Sequence, residues 1–264
     1  MKGREMKSSL IYYAIKYKGD YKLIQNAIQT KEEITKEEFL KLQEKLDSGK
    51  IKAITILDEN YPEAFQVLKN PPYVLFYQGK IEFLENKNPK SALIGEKYNS
   101  KIQEFFNKSL DQIIKRHILV TNGYKGVEQK IMEYYRLYEA PIIAVSANGI
   151  ENPWPFENFQ HYKNILIISE YPTGCNVNKK RLIERNRLVA ALANFLVVYS
   201  IRKSGGSQNL VNYFLDFGKE IYCFFDKNNE DQLDYTGCSD LIYQGANWIT
   251  EIKDVYYESQ TRGE

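Results

Sequence analysis

Residues 165–192 read ILIISEYPTGCNVNKKRLIERNRLVAAL, and this stretch contains the clearest strand-to-helix pattern in the chain. It begins with an uninterrupted apolar run at 165–168, which is typical of a strand buried on both faces of a parallel sheet. A polar loop containing Pro172 and Gly174 follows, and apolar residues then recur at helical spacing over 180–192. The pattern predicts a strand, a loop and a helix in that order.

The same alternation continues on both sides of this unit. Further apolar runs of strand length lie at 92–94, 118–120, 142–145, 195–199 and 221–225, and helical patterns lie at 101–115, 127–137 and 207–217. Strands that alternate with helices form parallel sheets with helices on both faces. We therefore predict an α/β fold with a doubly wound, mainly parallel sheet of about six strands.

The first 50 residues have a different pattern and predict a small helical N-terminal region. Helical spacing covers 8–17 and 21–29, and a third helix begins at Thr35, where Glu38 completes a capping-box pattern. Residues 51–90 predict two strands, at 51–57 and after Pro72, in a lead-in segment packed on the main domain. We assign 91–264 to that main domain.

Composition is that of a soluble globular protein. Of the 264 residues, 43% are hydrophobic and 27% charged, which excludes a disordered or fibrous chain. No apolar run is long enough for a secretory signal or a membrane span. Three widely spaced cysteines form neither a disulfide framework nor a metal site. We expect a cytoplasmic protein without membrane association, metal or cofactor.

Function is expected in the loops at the carboxyl ends of the predicted strands, where the ligands of such sheets bind. Several of these loops place glycine or polar residues before a helix N-terminus, an arrangement that favours anions such as phosphate. None contains a complete dinucleotide or P-loop motif. The candidate contacts here are Gly95, Lys97, Asn122, Gly123, Lys125, Gly126, Lys203, Ser204 and Gly205.

The most basic stretch is KKRLIERNR at 179–187, where a predicted helix begins. Cations at a helix N-terminus cost about 0.3–1 kcal/mol each, so this cluster indicates an anionic ligand. The alternative is a solvated helix face on which the cations pair with Glu184. Arginine also binds phosphate with two hydrogen bonds. The candidate contacts in this stretch are Lys179, Lys180, Arg185, Asn186 and Arg187.

In order and spacing, these motifs resemble the DNA-processing protein A family (DprA, also called Smf) over residues 52–250. The matching pieces are ITILDENYP at 54–62, PPYVLFYQG at 71–79, SEYPTG at 169–174, RNR at 185–187, SG at 204–205 and DLIYQGA at 240–246. The resemblance implies an extended Rossmann-like fold, a homodimer and a basic pocket for single-stranded DNA. It further implies a non-enzymatic protein that protects this DNA and helps to load the recombinase RecA onto it.

The chain departs from the family pattern at several places. Where the family has Gly-Ser-x-Arg or Gly-Ser-Arg, this chain has Gly95-Glu96-Lys97, so a carboxylate stands in the anion site and Lys97 replaces the arginine. The glycine loop at 122–128 is one residue shorter, and Phe225-Asp226 replaces an expected Pro-Gly. The chain ends shortly after Trp248, which predicts no winged-helix tail.

Three functions remain open at this point. The first is a non-enzymatic binding module that holds phosphates with these cations and stacks bases on aromatic residues. The second is a nucleotide-binding sensor or nucleotide hydrolase that uses a loop carboxylate as acid or base. The third is a scaffold that contacts only proteins, which the carboxylate of Glu96 favours. The aromatic candidates are Tyr98, Tyr124 and Tyr171, and the carboxylates are Glu96, Glu128 and Glu170.

The homodimer has some support in the residues themselves. Segments 221–225 and 241–249 are more apolar than the edge of a monomeric sheet should be. They predict a dimer interface. The alternative is a core strand that the N-terminal helices cover.

Overall fold

One sheet of nine strands runs through the residues that the computed structural model describes, 2–226, 233–253 and 255. Residues 256–264, the last part of the predicted main domain, lie outside the described residues. The strands are β1 Ala53–Thr55, β2 Val74–Gly79, β3 Lys90–Gly95, β4 Ile118–Thr121, β5 Ile142–Val145, β6 Ile165–Ser169, β7 Phe195–Ser200, β8 Ile221–Phe224 and β9 Asn247–Ile249. The helices are α1 Lys2–Lys16, α2 Tyr21–Gln29, α3 Lys36–Asp47, α4 Ser100–Asn107, α5 Leu110–Arg116, α6 Val127–Leu137, α7 Lys179–Leu192, α8 Gln208–Asp216 and α9 Thr236–Tyr243.

The strand order is β1-β2-β6-β5-β4-β3-β7-β8-β9. The pairs β1–β2 and β2–β6 are antiparallel, and the other neighbouring pairs are parallel. Each of the six apolar runs forms one of the parallel strands, and residues 51–90 add β1 and β2 to the same sheet. The predicted α/β fold with a mainly parallel sheet is confirmed.

Helices cover both faces of the sheet because successive strand side chains point in opposite directions. In β3, Ala92 and Ile94 belong to a core that also includes α7, α8 and α9. Leu93, between them, belongs to the opposite core with α4, α5 and α6. This arrangement is the doubly wound architecture that the sequence predicts.

The three N-terminal helices form a smaller core against one face of β2, through Val74 and Phe76. The predicted capping box is present: Thr35 accepts a hydrogen bond from the Glu38 backbone N–H, and the Glu38 carboxylate accepts one from the Thr35 N–H. In the described part of the chain, no helix combines the length and the apolar character that a membrane crossing requires.

Two details of the prediction are wrong. The helix predicted over 101–115 is split into α4 and α5, because the hydroxyl of buried Ser109 lies 2.8 Å from both the Phe105 carbonyl oxygen and the Tyr199 hydroxyl. Segment 221–225 is not at a sheet edge, since β8 lies between β7 and β9. Its helical cover comes from α9 and not from the N-terminal helices.

A half-buried lysine, Lys219, holds the C-terminus of α7, the helix that carries the basic stretch. Lys219 Nζ donates to the carbonyl oxygens of Ala190, Ala191 and Ala193 at 2.7, 2.7 and 2.6 Å. The last carbonyls of a helix have no partner within it, and a cation also complements the negative end of the helix dipole. Partial burial lowers the pKa of Lys219 to about 8.

We expect Lys219→Met to lower the free energy of unfolding by about 1–3 kcal/mol, because three carbonyl oxygens at the end of α7 lose a half-buried donor. Urea unfolding followed by circular dichroism measures the change. Lys115→Met, at an exposed position of α5, is the matched control and should change the free energy by less than about 0.5 kcal/mol. Equal losses in the two variants would contradict this role of Lys219.

Candidate nucleic-acid interface

The chain reverses its direction across the sheet at β3. It passes from β3 through β4 and β5 to β6, and then adds β7 on the other side of β3. In open α/β sheets, such a reversal creates a crevice at the carboxyl ends of the strands, where ligands bind. Here the loop after β3 carries Glu96, and the loop after β7 spans residues 201–207.

The carboxylate of Glu96 fills this crevice. Its Oε2 accepts a hydrogen bond from the backbone N–H of Arg202 at 3.3 Å and lies 4.0 Å from Arg202 Nε. A Cβ atom at Gly205 would lie 1.8 Å from Glu96 Oε1, and one at Gly126 would lie 2.6 Å from the Glu96 carbonyl oxygen. Both glycines therefore allow the loops to close on Glu96. The predicted anion position is occupied by the protein's own carboxylate.

Two buried ionisable side chains, Glu128 in α6 and Arg185 in α7, interact electrostatically near Glu96. Burial lowers the pKa of the Arg185 guanidinium to about 10, and the Glu128 carboxyl opposes this shift. Burial raises the pKa of Glu128 well above its usual range, and the charge of Glu96 adds to the rise. Arg185 is 3% exposed, so its charge acts in the interior and not at the surface.

A side-chain bridge joins the loop after β4 to α7. Asn122 Nδ2 donates to Asn186 Oδ1 at 3.1 Å, and both residues are buried. Gly95 and Gly123, two further predicted contacts, are also buried beside these loops. The structure thus brings together the inner members of the predicted site, and it places them below the surface.

Arg187 makes a two-point ion pair with Glu170, the residue that follows β6. Its Nη1 and Nη2 atoms each donate to one carboxylate oxygen at 2.6 Å. The side chains of Arg187 and Glu170 are 16% and 10% exposed, and Arg187 Nη2 also donates to the Asn70 carbonyl oxygen at 3.2 Å. Burial alone would lower the pKa of Arg187, but the carboxylate of Glu170 raises it above its usual value.

Lys97 and Lys203 are exposed, but each lies beside an acidic side chain. Lys203 Nζ is 2.8 Å from Asp240 Oδ1, and Lys97 Nζ is 3.7 Å from Asp234 Oδ2. Arg202 Nη2 also lies 2.7 Å from Asp234 Oδ1. These carboxylates reduce the positive potential on this side of the crevice.

The exposed cations near α7 are less neutralised. Lys125 and Lys179 are exposed and form no ion pair within the part of the chain that the structure describes. The Lys180 side chain is 73% exposed, and its Nζ lies 3.6 Å from Glu184 Oε1. Ser204, also exposed, is the remaining predicted contact. The surface charge available to a polyanion therefore lies at the loop after β4 and at the start of α7.

Of the three predicted stacking residues, Tyr171 is buried and does not offer its ring to the solvent. It is 5% exposed, its hydroxyl lies 3.2 Å from Glu184 Oε2, and the Arg181 guanidinium lies 4.3 Å from its ring centre. Tyr98 is half-buried and donates a hydrogen bond to a side chain of α4. Tyr124 is 47% exposed and offers a ring to the solvent.

The DNA recombination-mediator protein A family matches residues 52–260. The chain belongs to this family. Protein Smf of Synechocystis sp. is 25% identical to it over 200 residues, which cover 73% of this chain and 50% of Smf. DNA processing protein DprA of Streptococcus pneumoniae is 27% identical over 214 residues, 79% of this chain and 74% of that protein. This member of the family thus spans about half the length of Smf.

Two solved structures of DNA processing protein A have the same fold. The S. pneumoniae protein superposes with a TM-score of 0.72 at 21% identity, covering 95% of both chains. The Helicobacter pylori protein superposes with a TM-score of 0.67 at 24% identity, covering 80% of this chain and 97% of that one. The latter structure concerns a mode of single-stranded DNA binding. The predicted family and its Rossmann-like fold are confirmed.

We did not predict the burial of Arg185 or the ion pair between Glu170 and Arg187 from the sequence. Arg185 carries a signal, because buried Leu188 and Val189 follow three and four residues later and therefore share its helix face. Glu170 and Arg187 carry none, since they are 17 residues apart and meet across a loop. Among the described residues, no group of three or more histidine, cysteine, aspartate or glutamate side chains is placed to hold a metal ion.

We expect Arg187→Gln to lower the free energy of unfolding by about 3–5 kcal/mol, because Glu170 becomes an unpaired buried charge. Adding Glu170→Gln should recover part of the loss, since the double variant buries no unpaired charge. Urea unfolding of the four members of this double-mutant cycle gives the coupling between the two side chains.

The matched control is the exposed pair Lys180–Glu184. Lys180→Gln should change the free energy of unfolding by about 0–1 kcal/mol, because solvent already screens that pair. A loss in Arg187→Gln as small as that in Lys180→Gln would contradict a structural role for Arg187.

Proposed function

We propose that this protein binds single-stranded DNA through its phosphates, with little preference for sequence. The proposal rests on exposed cations that several loops hold on one side of the sheet, and on membership of the recombination-mediator family. Binding of single-stranded DNA is described for the H. pylori protein, which shares the fold. The exposed cations and the family membership thus favour the same ligand, single-stranded DNA.

The proposal is carried by the exposure of Lys125 in the loop after β4 and of Lys179 and Lys180 at the start of α7, while Glu96 occupies the crevice between the loops after β3 and β7. Phosphates that meet a carboxylate in the crevice are repelled, so the outer cations are the stronger contacts. Tyr124, adjacent to Lys125 and half exposed, can stack on a base, a contact worth roughly 1–3 kcal/mol.

The buried residues of the site contribute by fixing the positions of the exposed cations. Asn122 and Asn186 join the loop after β4 to α7, and Arg187 fixes α7 to the end of β6. These contacts hold Lys125 relative to Lys179 and Lys180. Preformed spacing of cations lowers the entropy that DNA binding loses.

A nucleotide hydrolase is the competing function, and its carboxylates are poorly placed for chemistry. Both oxygens of Glu170 accept hydrogen bonds from Arg187, and Glu128 is buried. Glu96 remains as the candidate acid or base. Binding without turnover is therefore the function that we put forward.

We expect labelled oligo-dT to bind more tightly than a duplex, with an affinity that falls steeply as salt rises because counterions are released from phosphates. Replacing two contact lysines, Lys125→Gln with Lys179→Gln, should lower the slope of log affinity against log salt by about 1.4, since each contact on a single strand contributes about 0.7. Fluorescence anisotropy over a salt series measures both quantities.

Lys108→Gln with Lys115→Gln removes the same charge from exposed positions at α4 and α5 and should leave the slope unchanged. A salt-independent affinity would contradict the phosphate model. Turnover of nucleoside monophosphates or DNA by the same preparation, if abolished in Glu96→Gln, would favour the hydrolase instead.

The proposal extends to a homodimer that delivers protected DNA to RecA. Its support is the family and two exposed hydrophobic side chains, Leu215 in α8 and Tyr243 in α9. Tyr243 is 81% exposed, and Leu215 lies in a groove with the end of α9. Two DNA surfaces joined by a two-fold axis hold one strand at two points, which raises its effective concentration at the second.

Light scattering should give the mass of two chains for the unaltered protein. The variant Leu215→Glu with Tyr243→Glu should give the mass of one chain, because it replaces two exposed hydrophobic side chains with charges. The variant should also stimulate RecA strand pairing less. Leu137→Glu with Tyr138→Glu, an exposed pair at the end of α6, is the control. A single-chain mass for the unaltered protein would remove the dimer from the mechanism.

A further inference from the structure

A cleft of about 610 Å³ separates the turn between α1 and α2 from the first half of α7. Its walls come from the N-terminal helical region on one side and from the main sheet and its helix on the other. Lys18 and Lys22 contribute from the turn and from α2, and Lys180 and Arg181 contribute from α7. Two parts of the chain that are far apart in sequence therefore place cations in one concave surface.

The cations from the N-terminal side are exposed. Lys18 and Lys22 both lie at the surface and form no ion pair within the described ranges. The Arg181 guanidinium lies 4.3 Å from the centre of the Tyr171 ring, and its Nη1 donates to the Asn176 carbonyl oxygen at 2.7 Å. A guanidinium on an aromatic face keeps its charge while its orientation is fixed.

The acidic residues of the cleft are occupied by other partners. Glu170 is bound at both oxygens by Arg187. Asp20 caps α2 by accepting a hydrogen bond from the Leu23 backbone N–H at 3.1 Å. Glu184 accepts from the Tyr171 hydroxyl at 3.2 Å. Glu184 also lies 3.6 Å from Lys180 Nζ. Once the pair of Glu170 and Arg187 is set aside, four cations of the cleft face two carboxylates, so its net charge is positive.

The turn that carries Lys18 is tightly fixed to the main domain. A Cβ atom at Gly19 would lie 2.6 Å from the Glu170 carbonyl oxygen and 2.9 Å from Tyr171 Cδ1, so the backbone of the turn rests on the end of β6. The spacing between Lys18 and the cations of α7 is set by this contact. A ligand that spans the cleft meets a preformed surface.

We propose that this cleft is a second contact surface for single-stranded DNA, in which Lys18 and Lys22 bind phosphates of the strand that continues beyond Lys179 and Lys180. The inference rests on the proposed function and assigns a DNA-binding role to the N-terminal helical region. The DNA strand crosses the start of α7, where the positive end of the helix dipole also stabilises its phosphates. Short strands occupy the loop surface alone, and longer ones reach the cleft.

Affinity for a short and a long oligo-dT, of about 6 and about 20 nucleotides, separates the two surfaces. The variant is Lys18→Asn with Lys22→Gln. It removes both charges, and asparagine tolerates the positive φ of 51° at position 18. We expect the variant to bind the long strand about tenfold more weakly, with a salt slope lower by about 1.4, and the short strand as before.

Lys36→Gln with Lys45→Gln is the matched control, because it removes two exposed charges from the same helical region on α3. Lys22→Gln alone should lower the salt slope by about 0.7. Thermal unfolding of each variant shows whether the region remains folded.

An unchanged affinity for the long strand would overturn the inference and leave the proposed function standing. Equal weakening for both strands would also overturn it, since a contact in the cleft cannot act on a strand that does not reach it. Failure of the unaltered protein to bind either strand would refute the proposed function and the inference with it. A duplex whose binding depends equally on Lys18 and Lys22 would contradict the assignment to single strands.

Discussion

The ion pair between Arg187 and Glu170 is the interaction on which the rest of the site depends. It fixes α7 to the end of β6, while Arg187 also reaches the carbonyl oxygen of Asn70 in the lead-in segment. The carbonyl oxygen of Glu170 in turn lies against Gly19 of the N-terminal region. The N-terminal region, the lead-in segment and the main domain thus meet at this one ion pair. Removing either partner leaves a buried charge that the surrounding protein cannot solvate.

The sequence predicts the strands and most helices well because their signals are local. An apolar run such as 142–145 has no polar position that a half-exposed strand would require, and Thr35 with Glu38 satisfies its own helix end. The break between α4 and α5 depends on Ser109 meeting Tyr199, which is 90 residues away. The position of Arg187 depends on Glu170 in the same way. Pairings across the fold have no local pattern, so the sequence shows which cations exist and not which are buried.

Glu96 places a carboxylate of the chain itself in the crevice after β3. The backbone N–H of Arg202 and the close approach of Gly205 form a surface suited to an anion, and the Glu96 carboxylate supplies one from within the chain. A phosphate arriving there must displace a tethered carboxylate, whose effective concentration is high because it is part of the same loop. In the binding mode that we propose, the contacts with a polyanion therefore lie outside the crevice, at the exposed lysines of the loop after β4 and the start of α7.

The start of α7 combines two opposing electrostatic effects. Lys179, Lys180 and Arg181 stand in its first turn, where the helix dipole disfavours each cation by roughly 0.3–1 kcal/mol. Asn178 satisfies one backbone donor there but brings no negative charge. The free protein therefore retains an unfavourable charge arrangement that a phosphate relieves, since the anion complements both the cations and the dipole. In the complex that we propose, part of the binding free energy comes from this relief, and it falls as salt screens the exposed charges.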